Sequence, residues 1–185
     1  MIFLTQLDIK ILLLVLQSQS KLLDFFTTIL NWITEGGIVW ILFCFLILFF
    51  GSGDKKRKII LILFSLLLSS WLANTLLKSF FFRPRPFEAI EGIRHLGKVW
   101  ADSSFPSAHV TSSVAVLLMI IYLFKPKRPL LVFFSIIFIS LLGFSRVYAG
   151  MHYPSDILAG IFFGAIAAAL TVFLDKQINF LGKRN

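Results

Sequence analysis

Long apolar runs alternate with short polar segments along most of the chain. Five runs predict membrane-spanning helices, because a helix that crosses a bilayer takes about 20 predominantly apolar residues. The predicted spans are Gly36–Phe50, Ile59–Leu77, Ser107–Phe124, Pro129–Phe144 and Ser155–Leu174. The pattern predicts an all-α fold, a polytopic membrane helix bundle.

The segment before Gly36 is apolar but interrupted. Lys21, Asp24 and two glutamines break the runs Leu12–Leu16 and Leu22–Trp32. Two interpretations fit this pattern: an amphipathic helix that lies in the membrane interface, or a short and imperfect sixth span.

Composition supports a single membrane domain. The 185 residues are 58% hydrophobic and 15% charged, with a mean hydropathy of +0.89. A soluble domain of this length does not bury so much apolar surface. We predict one domain over residues 1–185, with an N-terminal segment (1–35), a transmembrane core (36–175) and a tail (176–185).

The net charge of +9 does not indicate a nucleic-acid partner, because the basic residues lie in short loops between the spans. With alternating spans, ten of them fall on one side and six on the other. The positive-inside rule makes the side with ten cytoplasmic. Its clusters are Lys55–Lys58, Lys125 with Lys127 and Arg128, and Lys176 with Lys183 and Arg184.

Three polar stretches on the opposite side carry the candidate chemistry. They are Lys78-Ser-Phe-Phe-Phe-Arg-Pro-Arg85-Pro86, Pro106-Ser107-Ala108-His109, and Ser145-Arg146-x5-His152-x3-Asp156. The alternation brings Lys78, Arg85 and Arg146 to one membrane boundary, where these cations would repel one another without an anion. A phosphate suits them, since guanidinium groups bind its oxygens bidentately.

The other residues of these stretches supply reactive groups. Ser107 lies at a helix start, where it caps the helix or bonds a phosphate oxygen, and the unpaired backbone N–H groups there attract anions. Asp156 follows His152 by four residues, so its carboxylate is placed to orient one imidazole nitrogen and leave the other as nucleophile or base. His109 is then the candidate general acid. Other charges of the long loop, Arg83 and Arg94 among them, are predicted to be mostly solvated.

The three stretches resemble the motifs of the type 2 phosphatidic acid phosphatase superfamily: Lys-x6-Arg-Pro, Pro-Ser-Gly-His and Ser-Arg-x5-His-x3-Asp. The resemblance extends from about Ile60 to Leu174. One position departs from the pattern, since Ala108 replaces the family glycine. A helix start does not require a positive φ, so we expect little functional loss.

The resemblance implies a role for each motif residue. His152 attacks phosphorus and forms a phosphohistidine, Asp156 orients it, and His109 protonates the leaving oxygen and later activates water. Lys78, Arg85, Ser107 and Arg146, with the N–H of Ala108, hold the phosphate oxygens. The resemblance implies neither a metal nor another cofactor.

The expected function is that of a lipid phosphatase in a bacterial inner (cytoplasmic) membrane, with its active site facing the periplasm or exterior. Undecaprenyl diphosphate and lipid A 1-phosphate are the first candidate substrates, before phosphatidylglycerophosphate and phosphatidate. The expected partners are such a phosphorylated lipid and the bilayer. Two alternatives are a non-catalytic protein that binds or transports an anion or lipid phosphate, and a vanadate-dependent haloperoxidase-like enzyme. The sequence does not predict an oligomeric state.

Overall fold

The computed structural model describes residues 2–51, 54–124 and 128–181, and all regular secondary structure in these ranges is helical. The helices are α1 (Ile2–Leu16), α2 (Lys21–Thr34), α3 (Ile38–Phe50), α4 (Lys55–Trp71), α5 (Lys78–Phe80), α6 (Pro86–Ala89), α7 (Ala108–Leu123), α8 (Arg128–Tyr148) and α9 (Pro154–Leu181), with a 3₁₀ turn at Glu35–Gly37 and a π-helical turn at Leu72–Leu77. The predicted all-α membrane bundle is confirmed.

Each predicted span coincides with a helix. Four helical stretches are long and apolar enough to cross a membrane: Lys21–Phe50, Lys55–Phe80, Pro129–Tyr148 and Pro154–Ile178. The fifth, α7, is a shorter apolar helix, and more than half of its side chains are buried. The basic residues Lys125, Lys127, Lys183 and Arg184 lie outside the described residues.

The first crossing segment begins earlier than the predicted Gly36. Gly36 and Gly37 have φ angles of 59° and 76°, which let the chain bend between α2 and α3 and then resume a helix. Thr27 and Asn31, which lie inside the apolar run of α2, are buried, whereas Phe25, Ile29 and Trp32 are exposed. These two polar side chains face the bundle interior, as polar groups of membrane helices do.

Helix α1 does not cross the bundle. Its Asp8 accepts a hydrogen bond from the backbone N–H of Ser155, where α9 starts. After α1, the backbone N–H of Ser20 donates to the hydroxyl of Tyr148, where α8 ends. Both contacts lie at the same end of the bundle, because α8 and α9 are joined there by a short loop. The segment before Gly36 is thus divided: α2 belongs to a crossing stretch, and an interfacial position of α1 stays a prediction.

Close packing of α7 against α9 fixes the centre of the bundle. A Cβ atom added to Gly164 would lie 2.5 Å from the carbonyl oxygen of Thr111, and one added to Gly160 would lie 3.0 Å from that of Ser107. Glycines four residues apart thus allow the two backbones to approach closely. This contact holds the start of α7 beside the start of α9.

A polar cluster joins three helices at the opposite end. Asp175 of α9 accepts hydrogen bonds from Arg57 of α4, at 3.1 Å from Nε, and from the hydroxyl of Tyr122 of α7 at 2.9 Å. The bundle is therefore held by ionic contacts at one end and carries the three sequence motifs at the other.

Candidate active site

Lys78 enters the site from the end of the α4 segment. The π-helical turn Leu72–Leu77 precedes it, and such turns often accompany functional positions because they redirect the following side chains. The Lys78 ammonium is almost fully buried and lies 2.6 Å from Oδ2 of Asp102. It also interacts electrostatically with Arg85 and Arg146, so the three predicted cations are close together.

Arg85 is held by several acceptors of the surrounding loops. The side chain is only 2% exposed. One terminal nitrogen donates to the carbonyl of Met151 at 3.1 Å, and the other donates to Asp102. The first nitrogen also lies 3.5 Å from Nε2 of His152. The guanidinium therefore faces the nitrogen that would attack a phosphate.

His152 has its two ring nitrogens in different environments. Nδ1 lies 2.7 Å from the carbonyl oxygen of Ser104 and 3.6 Å from Oδ2 of Asp156. A carbonyl oxygen only accepts hydrogen bonds, so Nδ1 carries the proton and Nε2 keeps its lone pair. Burial, together with the charge of Arg146, lowers the pKa of His152 to about 4 despite the opposing carboxylate of Asp156. The imidazole is neutral at pH 7.

Asp156 is buried and engaged on both oxygens. Oδ2 accepts a hydrogen bond from the backbone N–H of Tyr153 at 2.8 Å, and Oδ1 accepts one from a terminal nitrogen of Arg83 at 2.7 Å. The sequence predicted that Asp156 orients His152. In the structure the carbonyl of Ser104 is the nearer acceptor of Nδ1–H, and the carboxylate adds a negative charge at longer range.

The start of α7 supplies the remaining predicted groups. His109 lies in its first turn and interacts electrostatically with Arg146 and His152. Ser107 precedes the helix without making a side-chain cap. Its Oγ is buried and has no hydrogen-bond partner among the described residues, as is also true of Nε of Arg85 and Nε of Arg146. Unpaired buried donors of this kind suit an anion.

Ala108 is the first residue of α7 and is unstrained there. No described residue other than glycine has a positive φ. The alanine that replaces the family glycine thus occupies an ordinary helical conformation, and its backbone N–H belongs to the helix N-terminus.

Two site residues were missed by sequence reasoning. Asp102 bridges Lys78 and Arg85, and nothing in the local sequence distinguishes it from the other acids of the loop. Arg83 was expected to be mostly solvated, but it pairs with Asp8 and Asp156. Arg94 of the same loop is 35% exposed and binds Asp24 through two nitrogens, at 2.9 and 2.5 Å. The repeated Arg-Pro of Arg83–Pro86 was the one available signal.

Within residues 2–51, 54–124 and 128–181, no three His, Cys, Asp or Glu side chains are grouped so that they could hold a metal ion. The expectation that the reaction needs no metal stays a prediction.

Comparison with known proteins identifies the family. The sequence model of the PAP2 superfamily matches residues 58–179, about two thirds of the chain and all three motifs. The chain belongs to the PAP2 superfamily. It is therefore a membrane-embedded hydrolase of the phosphatase type, as its motifs predict.

Individual relatives agree with this assignment. The chain is 33% identical to the undecaprenyl-diphosphatase BcrC of Bacillus subtilis over 149 residues, which cover 79% of this chain and 72% of that protein. It is 26% identical to a lipid A 4'-phosphatase of Bacteroides thetaiotaomicron, with 95% of this chain and 80% of that protein covered. The crystal structure of LpxE from Aquifex aeolicus superposes with a TM-score of 0.75 at 25% identity, over 90% of this chain and 94% of that chain.

Proposed function

We propose that this PAP2 protein hydrolyses the phosphate or diphosphate ester of an envelope lipid through a phosphohistidine formed on His152. The main support for the proposal is the tautomer of the His152 imidazole. Nδ1–H donates to the carbonyl of Ser104, so the lone pair of Nε2 points toward Arg85. A neutral, buried imidazole beside a guanidinium is suited to attack a bound phosphate.

The first step forms the bond between Nε2 of His152 and phosphorus and breaks the bond from phosphorus to the leaving oxygen. His109 donates a proton to that oxygen, so the alcohol or lipid monophosphate leaves as a stable product. Lys78, Arg85 and Arg146 offset the charge on the phosphate oxygens as it develops. The Ser107 hydroxyl, which has no partner among the described residues, and the N–H of Ala108 also donate to these oxygens.

The second step returns the enzyme to its starting state. Water attacks phosphorus, His109 takes a proton from it, and the bond from phosphorus to His152 breaks. Inorganic phosphate is released, and the imidazole regains its lone pair. His109 thus acts as acid in the first step and as base in the second.

Exposed aromatic residues beside the site support a lipid substrate. Phe80 and Phe82, between Lys78 and Arg85 in sequence, are 74% and 85% exposed, and Trp100 near Asp102 is also exposed. An apolar rim around buried cations suits a molecule whose phosphate lies at the membrane interface and whose tail stays in the bilayer.

Undecaprenyl diphosphate and lipid A are the substrates that the relatives' names support. The B. subtilis relative is an undecaprenyl-diphosphatase and the B. thetaiotaomicron relative is a lipid A 4'-phosphatase. We infer from the loop charges that the protein lies in a bacterial inner membrane with the site at its outer face, where phosphate is released.

The test is phosphate release from a lipid panel in detergent with EDTA, comparing the wild type with His152→Ala. The panel contains undecaprenyl diphosphate, lipid A, phosphatidylglycerophosphate and phosphatidate. We expect release that resists EDTA and is lost in the variant, and the order of kcat/KM values identifies the substrate class. A folded wild type without activity on any of these lipids would contradict the proposal and favour a binding or transport role. Bromide oxidation in the presence of vanadate and peroxide would instead favour a haloperoxidase.

A further inference from the structure

Arg83, at one of the variable positions between Lys78 and Arg85, lies between two buried carboxylates. Its NH1 is 2.7 Å from Oδ1 of Asp156, and its NH2 is 2.7 Å from Oδ2 of Asp8. Asp156 is 0% exposed and Asp8 is 4% exposed. A buried carboxylate without a cationic partner is costly, and Arg83 is a partner to both.

Further contacts fix the plane of the guanidinium. The group lies 3.9 Å from the centre of the Tyr153 ring, a stacking geometry that favours arginine. NH1 also donates to the hydroxyl of Ser155 at 2.7 Å. Asp8 in turn accepts the backbone N–H and the hydroxyl of Ser155, at 2.8 and 2.5 Å. Helix α1 is thereby tied to the start of α9.

The orientation of Asp156 depends on these contacts. Arg83 holds Oδ1, which leaves Oδ2 to accept the N–H of Tyr153 and to face Nδ1 of His152. A continuous chain of polar contacts thus leads from Asp8 through Arg83 and Asp156 to the proposed nucleophile. Without Arg83, two carboxylates would face each other with no cation between them, and Asp156 would lose its fixed position.

We propose that Arg83 and Asp8 are positioning residues for phosphoryl transfer, acting on His152 through Asp156. The inference rests on the proposed function of His152. Helix α1, which supplies Asp8, then helps to position the nucleophile. Arg83 also differs in role from the cations proposed to bind phosphate. Both terminal nitrogens of Arg83 are engaged by carboxylates, whereas Nε of Arg85 and Nε of Arg146 have no partner in the described part of the chain.

The principal test is Arg83→Gln, assayed for kcat, KM and inhibition by inorganic phosphate. We expect kcat to fall roughly 10- to 100-fold, since a small misplacement of a catalytic group has effects of this size. KM and the phosphate inhibition constant should stay within about twofold of the wild-type values, because Arg83 does not bind the phosphate. Arg83→Lys should recover part of the rate, since an ammonium keeps the charge and bonds one carboxylate.

A double-mutant cycle tests whether Arg83 acts through Asp156. In an Asp156→Asn background, Arg83→Gln should cost less than about threefold in kcat, because residues acting through one network are non-additive. Equal losses in both backgrounds would overturn the inference.

Asp8→Asn is the second variant, for use if Arg83→Gln does not fold. We expect kcat to fall by about three- to tenfold with KM unchanged, since Asp8 lies one contact further from His152.

Arg94→Gln is the matched control. Arg94 belongs to the same loop and forms a two-nitrogen ion pair with Asp24 at the same end of the bundle, without reaching Asp156. Its replacement should leave kcat unchanged. Equal loss of kcat in the two arginine variants would show that Arg83 only anchors the loop, and a raised KM with normal kcat would show that it binds substrate. Either result overturns the inference while the proposed function stands. A wild type without phosphatase activity would overturn both.

Discussion

The carboxylate of Asp102 lies 2.6 Å from the ammonium of Lys78. The same carboxylate bonds Arg85, so it bridges two of the cations proposed to bind phosphate. Partial burial raises the pKa of Asp102, but the hydrogen bonds and charges of Lys78 and Arg85 outweigh this effect and hold the pKa below its usual range. Asp102 is thus an anion at neutral pH, and a phosphate must compete with it.

We predict that Asp102→Asn strengthens inhibition by inorganic phosphate. The amide cannot neutralise the two cations, so the phosphate inhibition constant should fall by about three- to tenfold, a free-energy change near 1 kcal/mol. The measurement is competitive inhibition in the phosphate-release assay. Glu91→Gln, which removes one exposed negative charge from the same loop, is the control and should leave inhibition unchanged. Weaker inhibition in Asp102→Asn would mean that Asp102 organises the cations instead of competing with the substrate.

The lowered pKa of His152 predicts where activity is lost in acid. Burial lowers this pKa from its usual value of 6.5 to about 4. Between pH 4 and pH 6.5 the buried imidazole is therefore neutral and keeps its lone pair, where an ordinary histidine would be protonated. The rate of phosphoenzyme formation in a single turnover should show no loss from His152 protonation down to about pH 5, and should fall as pH approaches 4. An acid limb centred near 6.5 would show that the nucleophile is not the buried His152.

Ala108→Gly tests whether the departure from the family pattern matters. Ala108 has an ordinary helical conformation, so glycine offers no relief of strain and loses helix stability of about 0.5–1 kcal/mol. We expect kcat/KM within about threefold of the wild type, because the N–H at this position is kept. A larger gain in activity would indicate that the alanine side chain crowds the phosphate site.

Gly164→Ala should destabilise the bundle. Its Cβ would lie 2.5 Å from the Thr111 carbonyl oxygen, so α7 and α9 must move apart. We expect a loss of about 1–3 kcal/mol in the free energy of unfolding, measured in detergent by denaturant titration. The control is Ala169→Val on the exposed face of α9, which should change stability by less than about 0.5 kcal/mol. Equal stability of the two variants would contradict the packing account.

The spans and the motif positions were predictable from sequence because each depends on local spacing. The apolar runs predict the helices. Because successive spans cross the membrane in opposite directions, they also predict which helix ends lie on the same side. The start of the first crossing segment was not predictable in this way. Lys21 and Asp24 interrupt the hydrophobic pattern before α3, and only packing shows that Thr27 and Asn31 of α2 face the interior.

The supporting contacts of the site depend on long-range packing and could not be predicted. Asp8 and Arg83 are 75 residues apart in sequence, and Ser104 and His152 are 48 apart. The pattern of residues in a single sequence does not show which distant residues come into contact. The Ser104 contact also uses a backbone carbonyl, which any residue type would supply.

The proposed mechanism requires that Nε2 of His152 carry the phosphoryl group. The most direct measurement is brief reaction with a substrate labelled in the transferred phosphate, followed by an alkaline quench and mass mapping of the labelled peptide. We expect a phosphohistidine at position 152 in the wild type and none in His152→Ala. Label on His109, or rapid turnover by a folded His152→Ala protein, would contradict it.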